Sequence, residues 1–362
     1  MEEIFVTRTS MPSFLEYCDE IRSLWDSHLL TNMGEKHQAL QGELERFLHC
    51  PLTLFANGHL ALEAILEALQ LPKGAEVITS PFTFVSTTHA LVRRGLTPVF
   101  CDVLEADGTL DPAQAEALIT ERTAALLPVH VYGHPCDVER LEVLARRHGL
   151  KLIFDAAHAF GVQYKGRPAV SFGDASILSF HATKVFSTVE GGAVCFPGGS
   201  LRRQLEDLSN FGIRDTELCA AVGGNAKLNE FQAAMGLCNL RHFADEVSKR
   251  KAAFELYQEL LPEGVRFLLP REGVTPNYSY CPVVFDSRAT RDRVHDTLLQ
   301  HGIHPRKYFY PLTSQAACYA GQFRSHTPVA ENLSARVLTL PLYAGLPQSD
   351  IHRICQLVRE TL

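Results

Sequence analysis

The chain predicts an α/β fold with a large domain on a mostly parallel sheet and a smaller α+β domain behind it. Three observations carry this expectation. Between about residues 52 and 196, short apolar runs of strand length alternate with helix-length amphipathic runs. Such spacing calls for right-handed βαβ crossovers and therefore parallel neighbours. From about Asp245 the pattern changes to a charged helical stretch and sparser strands. The 362 residues, 46% hydrophobic, are enough for two cores, assigned as residues 1–244, with an N-terminal arm, and residues 245–362.

The elements follow in order. After Pro12, residues 14–27 are amphipathic and lead to the turn Leu30-Thr31-Asn32-Met33-Gly34. Residues 52–56 read as a strand, and Asn57-Gly58-His59 opens a helix over residues 60–69. Glycine at a helix start lets backbone approach an anion, and free N–H groups with the helix dipole hold a phosphate there; a plain N-cap accounts for Asn-Gly too. Residues 76–79 form the next strand, and 80–87 enter a helix with Phe84 at the junction, placed to stack on a flat heterocycle or to join the core. Strands at 97–103, 124–131 and 151–154 then alternate with helices at 111–119 and 138–148. An apolar strand at 175–181 ends in a polar turn carrying Lys184, and Gly191-Gly192 lead into another at 193–196. A small-residue helix follows Gly223-Gly224-Asn225. In the C-terminal part, residues 278–285 read as a strand and 290–300 as a helix stopped by Gly302, and Arg306-Lys307-Tyr308-Phe309-Tyr310 gathers cations and aromatics in one turn.

Composition excludes several classes. A net charge of −7 argues against general nucleic-acid binding. No G-x-G-x-x-G follows the first strand and no Walker sequence occurs, which removes dinucleotide and P-loop readings. No apolar run reaches membrane-spanning length, and the acidic start Met1-Glu2-Glu3 precedes no signal-like segment, so a cytoplasmic protein without membrane association is expected. The ten cysteines are scattered singly, as in a reducing compartment. His130, His134 and Cys136 approach a metal-ligand spacing, but Gly133 and Pro135 deny them a helical face, and no metal site is expected.

The chemistry concentrates at two strand ends. Side chains there face a crevice rather than packed helices. Lys184 lies in the turn after one strand, and Asp155 closes another. A desolvated lysine can lose its proton and form a Schiff base. Pyridoxal phosphate needs that lysine on its aldehyde carbon and a carboxylate that keeps its pyridine nitrogen protonated. From these two residues alone, an ion pair at the sheet edge is an equal alternative.

The order Asp155-Ala156-Ala157-His158, Gly173-Asp174, Ser179-Phe180-His181-Ala182-Thr183-Lys184 and Glu190-Gly191-Gly192 resembles the DegT/DnrJ/EryC1/StrS sugar aminotransferases, which are fold type I pyridoxal-phosphate enzymes. The likeness runs over nearly the whole chain. It implies Lys184 as the catalytic lysine and a cofactor held by the backbone of Gly58, His59 and Leu60, with Phe84 over the ring, Asp155 on the pyridine nitrogen, His158 beside the ring oxygen and Ser179 on the phosphate. It implies a homodimer with shared sites, because the family's Gly-x-Asn, here ending in Asn225, reaches the neighbouring subunit's cofactor phosphate. Thr31, His181, Arg306, Tyr308 and Tyr310 become expected substrate contacts. Two departures stand out: His59 replaces the usual threonine, and Ala226-Lys227 replace an aromatic and an arginine. The implied reaction moves an amino group from glutamate, through pyridoxamine phosphate, to a nucleotide-linked keto sugar. The motifs are most similar to enzymes that aminate dTDP-4-keto-6-deoxyglucose at carbon 4, and a 3-keto sugar aminotransferase is the nearest alternative. Retention of Lys184 speaks against the dehydratase branch, and retention of both Asp155 and Lys184 against a silent binding protein.

Overall fold

The computed structural model describes residues 3–319, 321–323 and 325–362. Seven strands build the central sheet: β1 (Leu52–Phe55), β2 (Glu76–Thr79), β3 (Thr97–Phe100), β4 (Thr123–Leu127), β5 (Lys151–Asp155), β6 (Ala175–Ser179) and β7 (Gly192–Cys195). Their spatial order is β1-β7-β6-β5-β4-β2-β3, and only β7 runs antiparallel to its neighbours. Continuous apolar strands of this kind need cover on both faces. On one face lie α1 (Glu35–Leu48) and a long later helix, meeting the sheet through Leu40, Leu44, Leu178, Ala193, Ala233 and Leu237. On the other lie α2 (Gly58–Ala68) and α3 (Val85–Arg93), through Leu62, Ile65, Ala90, Leu91, Ile177 and Val194. The helix α4 (Val138–His148) is capped by Asp137 and stopped by Gly149 in the left-handed region.

The long helix, α5 (Glu230–Leu260), runs 31 residues from a capping box made by Asn229 and Gln232. The boundary expected between residues 244 and 245 falls inside it, so a rigid helix, not a linker, joins the two parts. Beyond it, β8 (Arg266–Phe267), β9 (Cys281–Val284) and β10 (Val337–Leu340) form an antiparallel sheet in that order. The helices α6 (Arg288–Gln300) and α7 (Gln348–Thr361) pack into the same core, through Val294, Leu298, Ile351 and Ile354. The N-terminal arm joins this smaller part, since Ile4–Phe5 pairs in parallel with Ile303–His304. Arg250, fully buried in α5, donates to Glu246 at 2.7 Å and to the Leu342 carbonyl at 3.1 Å, tying the long helix to the C-terminal segment.

The strand expected over residues 278–285 is shorter, because its first residues do other work. Tyr278 is left-handed (φ 52°), and its neighbours reach back to the large sheet: Asn277 Nδ2 donates to the carbonyls of His158 and Phe160, both at 2.9 Å, and Ser279 Oγ to that of His158 at 2.8 Å. The smaller part thereby clamps the backbone at His158.

Candidate active site

The order of the sheet brings the chemical residues together. Asp155 ends β5 and Ser179 ends β6 on the adjacent strand, with Asp155 level with Ile177. Between Ser179 and the end of β1 stands Gly192, paired with Ser179 on one side and Phe55 on the other. A Cβ on Gly192 would lie 2.6 Å from the Asn57 carbonyl carbon, and one on Gly58 would lie 2.9 Å from Ser179 Cβ. Both glycines are therefore required for the Asn57-Gly58 turn to cross the reversed strand and bring the start of α2 against Ser179.

At that start, Asn57 Oδ1 accepts the Leu60 N–H at 2.9 Å, and the Ala61 N–H begins the helical ladder on the Asn57 carbonyl at 3.1 Å. The N–H groups of Gly58 and His59, which have no intrahelical acceptor, are left for an anion. The expectation that Leu60 also offers its amide is corrected here: the N-cap side chain has taken it.

Lys184 is presented by a closed excursion of the chain. Phe180 N–H bonds the Gly191 carbonyl (2.8 Å) and Thr188 N–H the Phe180 carbonyl (2.9 Å), while the buried Phe186 stacks on Phe160 at 4.2 Å and meets Phe180 edge-on. With Val185 and Phe186 anchored in the core, the half-buried Lys184 is turned to the strand ends, where its charge acts on both Asp155 and His158. Burial pulls the Lys184 pKa down to about 8, opposed by the Asp155 carboxylate.

Asp155, only 5% exposed, accepts from Thr87 Oγ1 at 2.7 Å on one oxygen and from Ala157 N–H at 3.1 Å on the other. Burial raises its pKa, while Thr87, Ala157 and Lys184 counter that and favour the carboxylate. Thr87 stands one turn beyond Phe84, the exposed N-cap residue of α3. A single helix start thus supplies an aromatic face and the hydroxyl that steadies Asp155.

His158 is buried, and burial first, then the Lys184 charge, pushes its pKa well below the ordinary histidine value. Its Nδ1 accepts the Tyr132 N–H at 3.1 Å, so the neutral ring carries its hydrogen on Nε2. Tyr132 reaches this position with left-handed backbone (φ 57°). Phe309 lies parallel to the His158 ring, centroids 6.1 Å apart, Tyr280 meets it edge-on at 4.9 Å, and Tyr132 Oη donates to the Tyr308 carbonyl.

The remaining expected residues separate into groups. Tyr308 is brought up against Tyr280 and Phe309 beside His158. Arg306 and Tyr310 are not: they line a cavity of about 450 Å³ against α6, which Tyr308 also borders and to which Asp155, His158, Ser179 and Lys184 contribute nothing. Tyr310 there lies under the guanidinium groups of Arg288 and Arg291. His181 was expected to share the Ser179 face by strand alternation. The strand stops at Ser179, and His181 is exposed, bonded to Thr183 Oγ1 at 2.9 Å and 3.5 Å from Glu190. Thr31 is exposed in the turn whose Leu30 carbonyl receives the Glu230 N–H at the head of α5. Asn225 is also exposed; Lys227 Nζ donates to its Oδ1 at 2.8 Å, which leaves the amide NH₂ to donate outward. Sequence reasoning missed Thr87, Tyr132, Tyr280 and Phe309. Thr87 carried a signal, the one-turn spacing from Phe84; the Tyr132 contact is a backbone donor and carried none.

These residues fit pyridoxal phosphate. Free amides and Ser179 form a cup that a Cβ at Gly58 would fill, a buried carboxylate suits a pyridine nitrogen, and a low-pKa lysine stands beside both.

Residues 15–359 match the sequence pattern described as the DegT/DnrJ/EryC1/StrS aminotransferase family. A dTDP-4-amino-4,6-dideoxy-D-glucose transaminase of Escherichia coli is 38% identical, over 98% of this chain and 97% of its own. A UDP-N-acetyl-3-dehydro-alpha-D-glucosamine 3-aminotransferase of Acidithiobacillus ferrooxidans is 36% identical, over 93% and 90%. Among solved structures, DesI in the presence of its TDP-sugar product superposes with a TM-score of 0.94 at 35% identity, covering 99% of this chain and 93% of that one.

Proposed function

We propose that this chain, which belongs to the DegT/DnrJ/EryC1/StrS aminotransferase family and is a pyridoxal-phosphate-dependent transferase, moves an amino group from glutamate to dTDP-4-keto-6-deoxyglucose and releases dTDP-4-amino-4,6-dideoxyglucose. The observation that carries the reading is Lys184, with its pKa lowered to about 8, in electrostatic reach of the buried Asp155. Similarity to the E. coli transaminase favours carbon 4, and similarity to DesI favours a TDP-linked sugar. Amination of a 3-keto nucleotide sugar is the second reading, favoured by similarity to the Acidithiobacillus enzyme.

When bound, the cofactor supplies an aldehyde carbon that takes up amines and a ring that draws electrons from the adjacent Cα–H bond. Gly58 and His59 N–H groups and the Ser179 hydroxyl hold its phosphate. The Asp155 carboxylate keeps a proton on the pyridine nitrogen, steadied by Thr87. Neutral His158 donates its Nε2–H to the ring oxygen, and Phe84 covers one face of the ring. The amine of Lys184, whose pKa of about 8 leaves a fraction of it uncharged at physiological pH, would take up and give back the proton of the donor's Cα. Tyr308 borders the same space.

The working unit is a homodimer in which the outward amide of Asn225 serves the partner's cofactor phosphate. Support comes from the exposed apolar side chains leading to it, Phe211, Ile213, Leu218 and Val222, the last 95% exposed. Mixing inactive Lys184→Ala and Asn225→Ala chains restores activity if sites are shared; verified heterodimers without rescue refute it. No helix among the described residues is long and apolar enough to cross a membrane, and the enzyme acts in the cytoplasm on a glycan precursor, O-antigen or similar.

The test is an absorbance spectrum of the cofactor-loaded protein. The visible band bleaches with glutamate and returns with dTDP-4-keto-6-deoxyglucose, and NMR fixes the amine position. Bleaching that only a 3-keto sugar reverses selects the second reading, and no bleaching with any amino donor refutes the transaminase.

A further inference from the structure

His59 stands where the family places a threonine, at the second residue of α2, and the structure gives its ring two partners. Nδ1 lies 2.8 Å from Ser86 Oγ in the first turn of α3, and Nε2 lies 3.2 Å from Glu63 Oε1 one turn along α2. Glu63 also receives Arg93 of α3. A chain Ser86–His59–Glu63–Arg93 thus joins the starts of two packed helices beside the free amides of Gly58 and His59.

The direction of the Ser86–His59 bond depends on one proton. A carboxylate only accepts, so a neutral His59 places its hydrogen on Nε2 toward Glu63, and Nδ1 is left as a lone pair. Ser86 must then donate its hydroxyl hydrogen to Nδ1, and its own lone pairs face the surroundings. In an imidazolium both nitrogens donate, Nδ1–H bonds Ser86 Oγ, and the Ser86 hydrogen is free to turn elsewhere. A phosphate dianion at the head of α2 has only acceptors. It is repelled by the first arrangement and bonded by the second.

We propose that His59 is a proton switch for the cofactor-phosphate site: phosphate binding draws one proton from solvent onto His59, reverses the Ser86–His59 hydrogen bond and frees the Ser86 hydroxyl to donate to the phosphate. The proposal rests on the reading of α2 as the phosphate cup. The charges around the ring are few among the described residues. On α2 it faces Glu63; on α3 Arg93 bonds that same carboxylate, Arg94 pairs with Glu67, and His89, one turn beyond Ser86, is bonded to Tyr319 Oη. The adjoining strand ends contribute Ser179 and Gly192, which do not titrate, and on the neighbouring helix Arg202–Ser209 the two arginines turn to Glu45 and Asp207. The added negative charge of the phosphate is therefore what tips the ring. The departure from threonine replaces a fixed hydroxyl with one released on demand.

Apoenzyme is titrated by calorimetry with pyridoxamine phosphate, which forms no bond with Lys184, and with pyridoxamine as the phosphate-free control. Buffers of differing ionisation enthalpy count the protons. At pH 7.5–8 wild type takes up more protons per site with pyridoxamine phosphate than with pyridoxamine, which cancels the contribution of groups that answer to the ring alone, and its affinity for the phosphate form falls as pH rises. His59→Thr, which restores the hydroxyl, loses this excess uptake and has a flatter pH profile. Ser86→Ala loses about tenfold in affinity for the phosphate form only. Excess uptake with the phosphate form that persists undiminished in His59→Thr, or full affinity in Ser86→Ala, overturns the switch and leaves the cup intact. Equal affinity of wild type for pyridoxamine and its phosphate overturns the cup itself.

Discussion

Thr87→Val is the perturbation that tests the site most directly. Threonine and valine have nearly the same shape, so the change removes one buried hydroxyl, together with its 3.0 Å bond to Thr83 Oγ1. That hydroxyl is 2.7 Å from Asp155 Oδ2, and among the described residues the other hydrogen-bond donor on the carboxylate is Ala157 N–H at 3.1 Å. A hydrogen bond to an ionised buried group contributes about 1.5–3 kcal/mol. Expressed fully in the transition state, that is a loss of roughly 10- to 150-fold in the glutamate half-reaction. The pH profile has a definite sign. Burial already raises the Asp155 pKa and Thr87 works against it, so without Thr87 the pKa rises further and the acid limb of the rate profile moves to higher pH. Stopped-flow bleaching of the cofactor band by glutamate from pH 5 to 9 measures both effects, and Thr87→Ser restores most of the rate. Thr87→Val within about threefold of wild type at every pH, while Asp155→Asn is inactive, refutes the claim that Thr87 steadies the carboxylate.

Lys184→Ala abolishes turnover while cofactor remains bound through the phosphate cup and Asp155, which dialysis followed by fluorescence detects. Because Lys184 reacts only as the free amine, covalent capture of pyridoxal phosphate by apoenzyme rises about tenfold per pH unit up to about 8 and levels above it. In Asp155→Asn, which lacks the carboxylate that favours the charged amine, the midpoint moves to lower pH. Gly192→Ala forces a methyl to within 2.6 Å of the Asn57 carbonyl carbon; it lowers stability by about 1–3 kcal/mol in urea titration and opens the phosphate cup, seen as lost cofactor affinity. Arg250→Ala strands the buried Glu246 and costs about 3–5 kcal/mol, measured by the same titration, whereas Lys249→Ala, on an exposed pair, leaves the urea midpoint unchanged.

The chain by itself determined the alternation of strands and helices and therefore the parallel sheet, because local apolar period and turn chemistry decide those elements. The strand 76–79 and the helix 138–148 were legible to the residue. It also placed Lys184 and Asp155 at two strand ends, since side-chain type at a strand end is a local property, while the two residues alone left an ion pair as an equal reading. Other features were decided only by tertiary structure. Strand order set Gly192 between β1 and β6, and so brought Gly58 against Ser179 from 121 positions away in the chain. The neutral state of His158 came from a backbone N–H at Tyr132, and the clamp on its backbone from Asn277 and Ser279 in the smaller part. Where β6 ends, which took His181 away from the Ser179 face, and which residue of the 306–310 turn packs on Tyr280 and Phe309 beside His158, which singled out Tyr308, likewise depended on packing. Proximity across a sheet is fixed by hydrogen-bond register and by which side chains the core accepts, and neither is written in the local run of residues.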